Sequence, residues 1–212
     1  MTAINSVLVI GKTDQAKKVE TLFAKGGFAA SRIDAGKGTA DLVIENVTGT
    51  PGEKSKATIA GAHVGINFIF NPTEDKCLVQ LVKELDTKAE NVQAIKQAAE
   101  KAGAVAVVCE DVAGFIVDRV IASVVNEAAY MLETNLASMD DINKIPKVCL
   151  NWPMGPFEFA DYIGIDNIVN ILDAASKYGQ QYLPCRTLRQ MVAAGKLGRK
   201  TGRGFYEYPK AV

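Results

Sequence analysis

The stretch from Gly114 to Leu132, GFIVDRVIASVVNEAAYML, is the feature that most constrains the fold of this chain. At 3.6 residues per turn its polar side chains fall on one narrow stripe, and apolar side chains cover most of the remaining surface. A helix with so wide an apolar surface has to be buried by neighbouring elements. Asp118 shares its face with Ile121 and Val125, where burial of an unpaired carboxylate would be costly. We therefore expect Asp118 to be a paired structural acid or part of a site.

Size and charge exclude several classes of protein. The chain has 212 residues, of which 48% are apolar, and this is enough for one large or two small cores. The 24 basic and 24 acidic residues balance, so no overall field attracts nucleic acid or an anionic membrane, and a small molecule or a protein is the favoured partner. The first residues, MTAINSVLVIGK, carry no basic lead or cleavage pattern, so we expect neither signal nor anchor and predict a cytoplasmic protein.

The cysteines do not indicate a metal or redox motif. Cys77, Cys109, Cys149 and Cys185 are far apart in the sequence, and no two of them form a C-x-x-C pair. We expect reduced structural thiols and no metal site.

The first residues follow the plan of a dinucleotide-binding βαβ unit. A β-branched run, Ser6 to Ile10, ends at Gly11, and Asp14 opens an amphipathic helical pattern. A second predicted strand, Phe28 to Ile33, ends at Asp34. Strand, glycine turn, helix, strand and terminal acid is the arrangement in which the acid accepts hydrogen bonds from ribose hydroxyls.

The glycine turn of this unit departs from the G-x-G-x-x-G template. Only Gly11 is glycine, and the second and third positions are Thr13 and Ala16. Alanine is acceptable at the third position, but Thr13 is β-branched where bare backbone must approach a pyrophosphate. Asp14 adds negative charge at the helix start that would receive the phosphate. The unit is therefore either a scaffold or an altered cofactor site, and the scaffold is favoured.

The rest of the first half continues with strands and one helix. We predict a buried parallel strand at Asp41–Val47, a loop at Thr48–Lys56 and a second strand at Val64–Phe70. A helix at Ala89–Ala102 and a final strand at Ala104–Cys109 follow. Such alternation indicates a small parallel sheet with crossovers, although several connections are too short to carry a full helix.

The second half reads as almost entirely helical. After the opening helix, further helices are predicted over Asp140–Val148, Phe157–Ile163, Ile165–Ala175 and Cys185–Ala194, and Gly195 caps the last. The basic, glycine-rich run from Lys196 to Tyr206 either binds phosphate or forms a turn that closes the domain, and the turn is favoured. We place the domain boundary at 112/113, with an α/β domain before it and an all-α domain after it.

These motifs carry a family resemblance. GFIVDRV with NEA at Asn126–Ala128, PMGPFEFADYIGID at Pro153–Asp166 and GKLGRKTGRGFYEY at Gly195–Tyr208 resemble the C-terminal domain of the 3-hydroxyacyl-CoA dehydrogenases. In the first half VLVIG, the spacing to Asp34, DLVIE and the FNP of Phe70–Pro72 occur in the order of that family.

The resemblance implies a fold and a chemistry. It implies a reduced Rossmann-like NAD-binding domain, then a helical domain that usually dimerises and would make this chain a homodimer. It also implies oxidation of a 3-hydroxyacyl-CoA with NAD in fatty-acid metabolism, with an acyl-CoA as substrate. The cofactor-binding positions are, by resemblance, Gly11, Thr13, Ala16, Asp34 and Glu45.

The catalytic positions of the family are altered. The family uses a histidine just before the F-N-P turn as general base and a glutamate eight residues after the proline to orient it. Here the second position is Gln80, and the first is Phe68 or Asn67, depending on where the alignment is anchored. Neither residue can take a proton near neutral pH, although an amide can still form hydrogen bonds.

Other departures concern the acyl-CoA side of the implied site. The family has asparagine where Asp118 stands, and that residue resembles a donor to the thioester side of the substrate. A carboxylate there would repel a developing oxyanion. Only six residues join Asp34 to Asp41, so the helical arm that resembles part of a CoA site is missing, as is a Ser/Asn-rich turn before Val64.

His63 is the only histidine of the chain and lies shortly before the expected base. Along a strand it has the parity of Asn67 and not of Phe68. It would lie about one strand length from the required position, so we favour a surface or strand-end histidine over a substitute base.

The sequence leaves three candidate functions. The first is an NAD-dependent 3-hydroxyacyl-CoA dehydrogenase. The second is a weak or inactive relative that serves as a dimeric binding or regulatory module through its helical domain. The third is a different dehydrogenase of related architecture, which the specific PMGPFEFADYIG match disfavours. We predict that the fold and the dimer survive while hydride transfer does not.

Overall fold

A computed structural model describes residues 3–47, 53–71, 74 and 76–209. The chain divides into two units, Met1–Phe115 and Ile116–Val212, whereas the sequence placed the boundary between Val112 and Ala113. Each unit has its own hydrophobic core among the described residues, so each is described by itself.

Within its described residues, unit 1 contains seven strands and two helices. They are β1 (Ser6–Ile10), α1 (Asp14–Lys25), β2 (Ala29–Ile33), β3 (Leu42–Glu45), β4 (Ser55–Ile59), β5 (Ala62–Phe70), β6 (Cys77–Lys83), α2 (Ala89–Lys101) and β7 (Val105–Glu110). The predicted βαβ unit, the predicted helix after Ala89 and the strand that follows it are all present.

The strands form one mixed sheet in the order β2-β1-β3-β4-β5-β6-β7. Strand β1 is parallel to β2 and β3, and β6 is parallel to β7, but the pairs β3–β4, β4–β5 and β5–β6 are antiparallel. The Rossmann-like class is confirmed, and the expectation of a wholly parallel sheet is corrected to a mixed one.

A tight hairpin explains this difference. Ala60 and Gly61 join β4 to β5 with φ angles of 50° and 77°, the two positive values that a type I′ turn requires. Because antiparallel strands need only such a short link, no crossover helix is present here. Ser55 and Lys56, predicted as loop, belong to β4, and the remainder of that loop over Thr48–Gly52 lies outside the described residues.

Helices α1 and α2 pack on the same face of the sheet, which we call the core face. Phe23 of α1 and Ile95 of α2 belong to a single cluster with the strand residues that point to this face, and the Lys101 ammonium lies 4.6 Å from the centre of the Phe28 ring. Side chains alternate along each strand, so every second strand residue points to the opposite face.

Unit 2 is helical. It contains α3 (Val117–Glu133), α4 (Met139–Cys149), α5 (Pro156–Ile163), α6 (Ile165–Ala175) and α7 (Arg186–Ala193), with three short 3₁₀ segments at Ser176–Tyr178, Gln180–Tyr182 and Arg199–Thr201. These bounds confirm the predicted helices to within a few residues. Gly195 follows α7 with φ of 69° and donates its N–H to Val192 O at 3.0 Å, which confirms the predicted cap.

Helix α3 lies at the centre of unit 2, as its wide apolar surface predicted. Ala122 and Val125 pack with Ile168 and Leu172 of α6 in the main cluster of this unit. The helix begins at Val117 and not at Gly114, because Gly114 and Phe115 have φ angles of 76° and 45° that a right-handed helix does not allow. Within the described residues no helix is long and apolar enough to cross a membrane.

Candidate functional site

The β1–α1 turn lies where the cofactor-binding positions were predicted. Gly11 donates its N–H to Ile33 O at 3.0 Å, which joins the end of β1 to the end of β2. A Cβ on Gly11 would lie 3.2 Å from Ala16 Cβ and 3.4 Å from Val47 O. Gly11 and Ala16 therefore allow close packing of helix and strand, which is the structural part of a dinucleotide turn.

Thr13 is the N-cap of α1, and its side chain is occupied. Its Oγ1 accepts the N–H of Ala16 at 3.1 Å and donates to Val47 O at 2.6 Å. One hydroxyl thus satisfies a donor at the helix start and fastens the turn to the end of β3. Asp14 stands in the first turn of α1, where its charge favours the helix dipole but would repel an anion.

Asp34, the predicted ribose acid, follows β2 and is held by Arg32. The Arg32 guanidinium donates from Nη1 to Asp34 Oδ1 at 2.8 Å and to Gly11 O at 3.0 Å. Glu45 ends β3 and is in register with Ile10 of β1. The predicted positions Gly11, Asp34 and Glu45 therefore lie at one edge of the sheet, as parallel pairing of β1, β2 and β3 requires.

Asn67 and Gln80 face each other across β5 and β6. They are direct partners in the antiparallel register, and Gln80 Nε2 donates to Asn67 Oδ1 at 3.2 Å. Asn67 Nδ2 donates to Glu53 O at 2.7 Å. The two side chains are 7% and 0% exposed, so a hydrogen-bonded pair of neutral amides is buried where sequence reasoning located the catalytic base and its acid.

Phe68, the alternative position for the base, points the other way. It is 3% exposed and belongs to the cluster on the core face, where it packs with Val79. A residue on that face cannot contact Gln80, because Gln80 pairs with Asn67 on the opposite face. Of the two alternatives left open by the sequence, the structure joins only Asn67 to Gln80.

His63 lies on the same face as Asn67 but not beside it. Its Nδ1 is 2.9 Å from Thr58 Oγ1, its partner in the register of the β4–β5 hairpin. Four residues of strand separate His63 from Asn67, which is about 13 Å. The structure does not bring His63 to the amide pair.

Asp118 is in the first turn of α3, in unit 2, and is buried. Asp118 has an interaction partner. This agrees with a paired structural acid, and a role of Asp118 in a site stays a prediction.

Sequence reasoning missed Asp161, which organises the glycine-rich run. It is 1% exposed and accepts hydrogen bonds from Phe205 N at 2.9 Å, Tyr206 N at 2.9 Å and Tyr208 Oη at 3.0 Å. Burial raises the pKa of the Asp161 carboxyl above its usual value, against the opposing effect of these donors. A Cβ on Gly204 would collide with this carboxylate, so a glycine is required there.

Three basic side chains of that run are engaged within unit 2. Lys200 is 2.6 Å from Asp166, and Arg203 is 3.5 Å from Glu207. The Arg199 guanidinium lies 5.3 Å from the ring centre of Tyr162. The favoured prediction, a turn that closes the domain, agrees with these contacts, and a phosphate site would have to break them.

The NEA motif has a structural role as well. Asn126 is buried, its Nδ2 donates to Leu183 O at 2.9 Å, and its Oδ1 accepts the N–H of Cys185 at 2.8 Å. It therefore holds the segment that leads into α7. The sequence signal was an amide on the narrow polar stripe of α3, which was noted but could not be paired with a segment far along the chain.

No metal centre is found among the residues that the structure describes: no group of three or more His, Cys, Asp or Glu side chains could hold an ion. All four cysteines are free thiols. Burial raises the pKa of Cys77 to about 12 and also raises that of Cys185, so both thiols are poor nucleophiles.

Comparison with known proteins locates these features in a family. The model of the 3-hydroxyacyl-CoA dehydrogenase C-terminal domain matches residues 114–208. A probable 3-hydroxyacyl-CoA dehydrogenase of Caenorhabditis elegans is 38% identical over 175 residues, which are 81% of this chain and 56% of that protein. The chain belongs to the 3-hydroxyacyl-CoA dehydrogenase family. A probable 3-hydroxybutyryl-CoA dehydrogenase of Bacillus subtilis is 39% identical over 147 residues, 68% of this chain and 51% of that protein.

Solved structures show the same fold. The (S)-3-hydroxybutyryl-CoA dehydrogenase of Ralstonia eutropha superposes with a TM-score of 0.84 at 24% identity, over 98% of this chain and 100% of that one. The 3-hydroxybutyryl-CoA dehydrogenase of Escherichia coli K12 gives a TM-score of 0.79 at 23% identity, over 99% of this chain and 61% of that one. At these identities the likeness concerns the fold of the dehydrogenase family and not its activity.

The present 3-hydroxyacyl-CoA dehydrogenase family member spans about half the length of the curated relatives that it matches. Its unit 2 carries all but the first two residues matched by the family model, and the buried residues Asn126 and Asp161 hold backbone groups in place. In unit 1, the positions considered by resemblance are Asn67, Phe68 and Gln80, and of these Asn67 and Gln80 bond each other.

Proposed function

We propose that this chain is a 3-hydroxyacyl-CoA dehydrogenase relative in which NAD-dependent oxidation of 3-hydroxyacyl-CoA is weak or lost. The proposal rests on one observation, the buried pair of Asn67 and Gln80. In the family, by resemblance, a histidine takes the hydroxyl proton of the substrate while hydride leaves for the nicotinamide.

An amide pair cannot perform this proton transfer. Near neutral pH a carboxamide neither gains nor loses a proton, and both polar atoms of Asn67 are already bonded, to Gln80 and to Glu53 O. Loss of a general base alone costs a factor of about 10² to 10⁴ in rate. By resemblance, Asp118 stands where the family has an asparagine donor, and a carboxylate cannot donate to a developing oxyanion unless it is protonated.

The first test is a direct assay of the full chain. Reduction of acetoacetyl-CoA by NADH is followed by absorbance for the natural sequence, for Gln80→Ala and for His63→Ala. We expect rates at least about 10²-fold below the usual range of enzyme turnover, about 1 to 10³ s⁻¹, with no change in either variant. Turnover within that range, abolished by Gln80→Ala or His63→Ala, would refute the proposal.

A second experiment asks whether restoring a histidine and a carboxylate restores activity. Asn67→His with Gln80→Glu rebuilds a histidine–carboxylate pair on the face where the amides meet, in a Thr13→Gly background that opens the cofactor turn. We expect acetoacetyl-CoA reduction to rise above that of Thr13→Gly alone. The matched control is Phe68→His with Gln80→Glu in the same background, since residue 68 points to the core face and should give no gain.

A second candidate, a dimeric binding or regulatory module, is favoured by the surface of α4. Ile145 and Val148 on this helix and Leu150 after it are each more than half exposed, which is unusual for neighbouring large apolar side chains. Light scattering across a concentration series should give a dimer that Val148→Asp weakens. A monomer at every concentration would contradict this candidate.

A further inference from the structure

We infer that the β1–α1 turn is closed by the Thr13 side chain and does not receive the pyrophosphate of a dinucleotide. This goes beyond the proposed loss of the base, because it concerns binding of the cofactor and not proton transfer. It also explains why the βαβ plan persists around a turn that departs from the template.

A backbone donor that a phosphate would use at the start of α1 is already occupied. A pyrophosphate at a helix start is bound by backbone N–H groups of the first turn. Here the N–H of Ala16 is held by Thr13 Oγ1 at 3.1 Å, and the same hydroxyl is anchored on Val47 O at 2.6 Å. A phosphate that bound the N–H of Ala16 would have to displace a hydroxyl that makes two hydrogen bonds.

The charge at the start of α1 also opposes a bound phosphate. The helix start offers partial positive charge to an anion, but Asp14 occupies its first turn with an exposed carboxylate. This carboxylate stabilises α1 in the absence of a ligand and repels a phosphate that approaches the same end. The start of α1 therefore needs no bound anion to balance its dipole.

The acid that would bind the ribose, Asp34, is engaged in an ion pair. The acid of a dinucleotide site accepts from ribose hydroxyls. Here Asp34 Oδ1 accepts from Arg32 Nη1, which also donates to Gly11 O, so the guanidinium spans the ends of β1 and β2. A ribose hydroxyl that approached Asp34 Oδ1 would compete with this ion pair.

The test is a binding titration that needs no turnover. NADH is titrated into the full chain and followed by its own fluorescence and by calorimetry, with ADP as competitor to show that the pyrophosphate end is engaged. The proteins are the natural sequence, Thr13→Gly and Thr13→Ser. Glycine is an adequate N-cap, so Thr13→Gly should fold, and circular dichroism checks this. Serine keeps the hydroxyl and is the matched control.

We expect no saturable NADH binding up to millimolar concentration for the natural sequence and for Thr13→Ser. Thr13→Gly should bind at least about tenfold more tightly, which corresponds to about 1.4 kcal/mol. Saturable, ADP-sensitive binding by the natural sequence would overturn the inference. Absence of any gain in folded Thr13→Gly would also overturn it, because Thr13 would then not be what closes the turn.

Discussion

The two units keep different parts of the family pattern. In unit 2, Asn126 and Asp161 lie within the matched family domain and bond backbone groups that are distant in the sequence. In unit 1, the βαβ plan is present, Thr13 caps α1, and the amides Asn67 and Gln80 form a buried pair. The polar side chains of unit 2 hold distant backbone segments, whereas the amides of unit 1 bond each other.

The difference has a physical reason. If a side chain that satisfies buried backbone N–H groups is lost, those donors remain buried without partners, and each costs about 1 to 3 kcal/mol. Two amides that bond each other, as Asn67 and Gln80 do, bury no charge. The loss of chemistry proposed for unit 1 would therefore cost little in folding free energy.

The strongest test of this comparison is Asp161→Ala in unit 2. The substitution removes the acceptor of Phe205 N, Tyr206 N and Tyr208 Oη and should lower the free energy of unfolding by about 3 to 5 kcal/mol. Denaturant unfolding monitored by far-ultraviolet circular dichroism measures it.

Two controls belong to this experiment. Asp161→Asn keeps one acceptor oxygen and should lose less stability than alanine. Asp173→Ala removes only an exposed ion pair with Arg189 and should cost at most about 1 kcal/mol. If Asp161→Ala were as mild as Asp173→Ala, the structural role of the family residues in unit 2 would be wrong.

A smaller effect is expected for the amide pair of unit 1. Gln80→Ala leaves Asn67 Oδ1 buried without its donor and should cost about 1 to 3 kcal/mol. The double variant Asn67→Leu with Gln80→Leu removes both partners and should be closer to the natural stability than Gln80→Ala. Lys83→Ala, on the same strand but exposed, is the control, at about 1 kcal/mol or less. Destabilisation of the double variant beyond Gln80→Ala would show that the pair is not a neutral replacement.

The smallest expected effect is a dependence of unit 1 on acid. Hydrogen bonds from the backbone N–H groups of Asn5 and Ser6 lower the pKa of Asp41 below its ordinary 3.8, and they join the start of β1 to the residue before β3. Because the pKa is lower in the folded state, this contribution is present above pH 3.8 and is lost as the pH falls through the folded value.

Unfolding of Asp41→Asn should accordingly depend less on pH than unfolding of the natural sequence over that acid range. Thermal unfolding between neutral pH and pH 3 measures the difference, and Asp86→Asn is an exposed control that should behave like the natural sequence. Identical pH profiles for Asp41→Asn and the natural sequence would show that the Asp41 carboxylate does not stabilise the junction of β1 and β3.

Local pattern was sufficient where neighbours in the chain decide the structure. The start of helix α1 at Asp14 follows from the amphipathic pattern that begins there. The central helix α3 follows from its wide apolar surface, and the capping of α7 by Gly195 from a glycine after the last periodic residue. Each of these depends on contacts within a few residues.

The mixed sheet could not be predicted in the same way. Strand β4 was missed because Ser55–Ile59 is short and begins with polar residues, and β6 was missed although it is apolar, because Gln80 interrupts its pattern. The direction of a strand depends on which strand pairs with it, and pairing is decided by packing across the whole sheet.

The sequence by itself determined the class of each unit, the positions of the helices and the absence of an ionisable side chain at the predicted catalytic pair. Only the tertiary structure decided that Asn67 and not Phe68 meets Gln80, that Thr13 fastens α1 to the end of β3, and that Asp161 holds the glycine-rich run. The physical reason is that a hydrogen bond requires two groups within about 3 Å. Groups tens of residues apart in sequence meet at that distance only when the chain has folded.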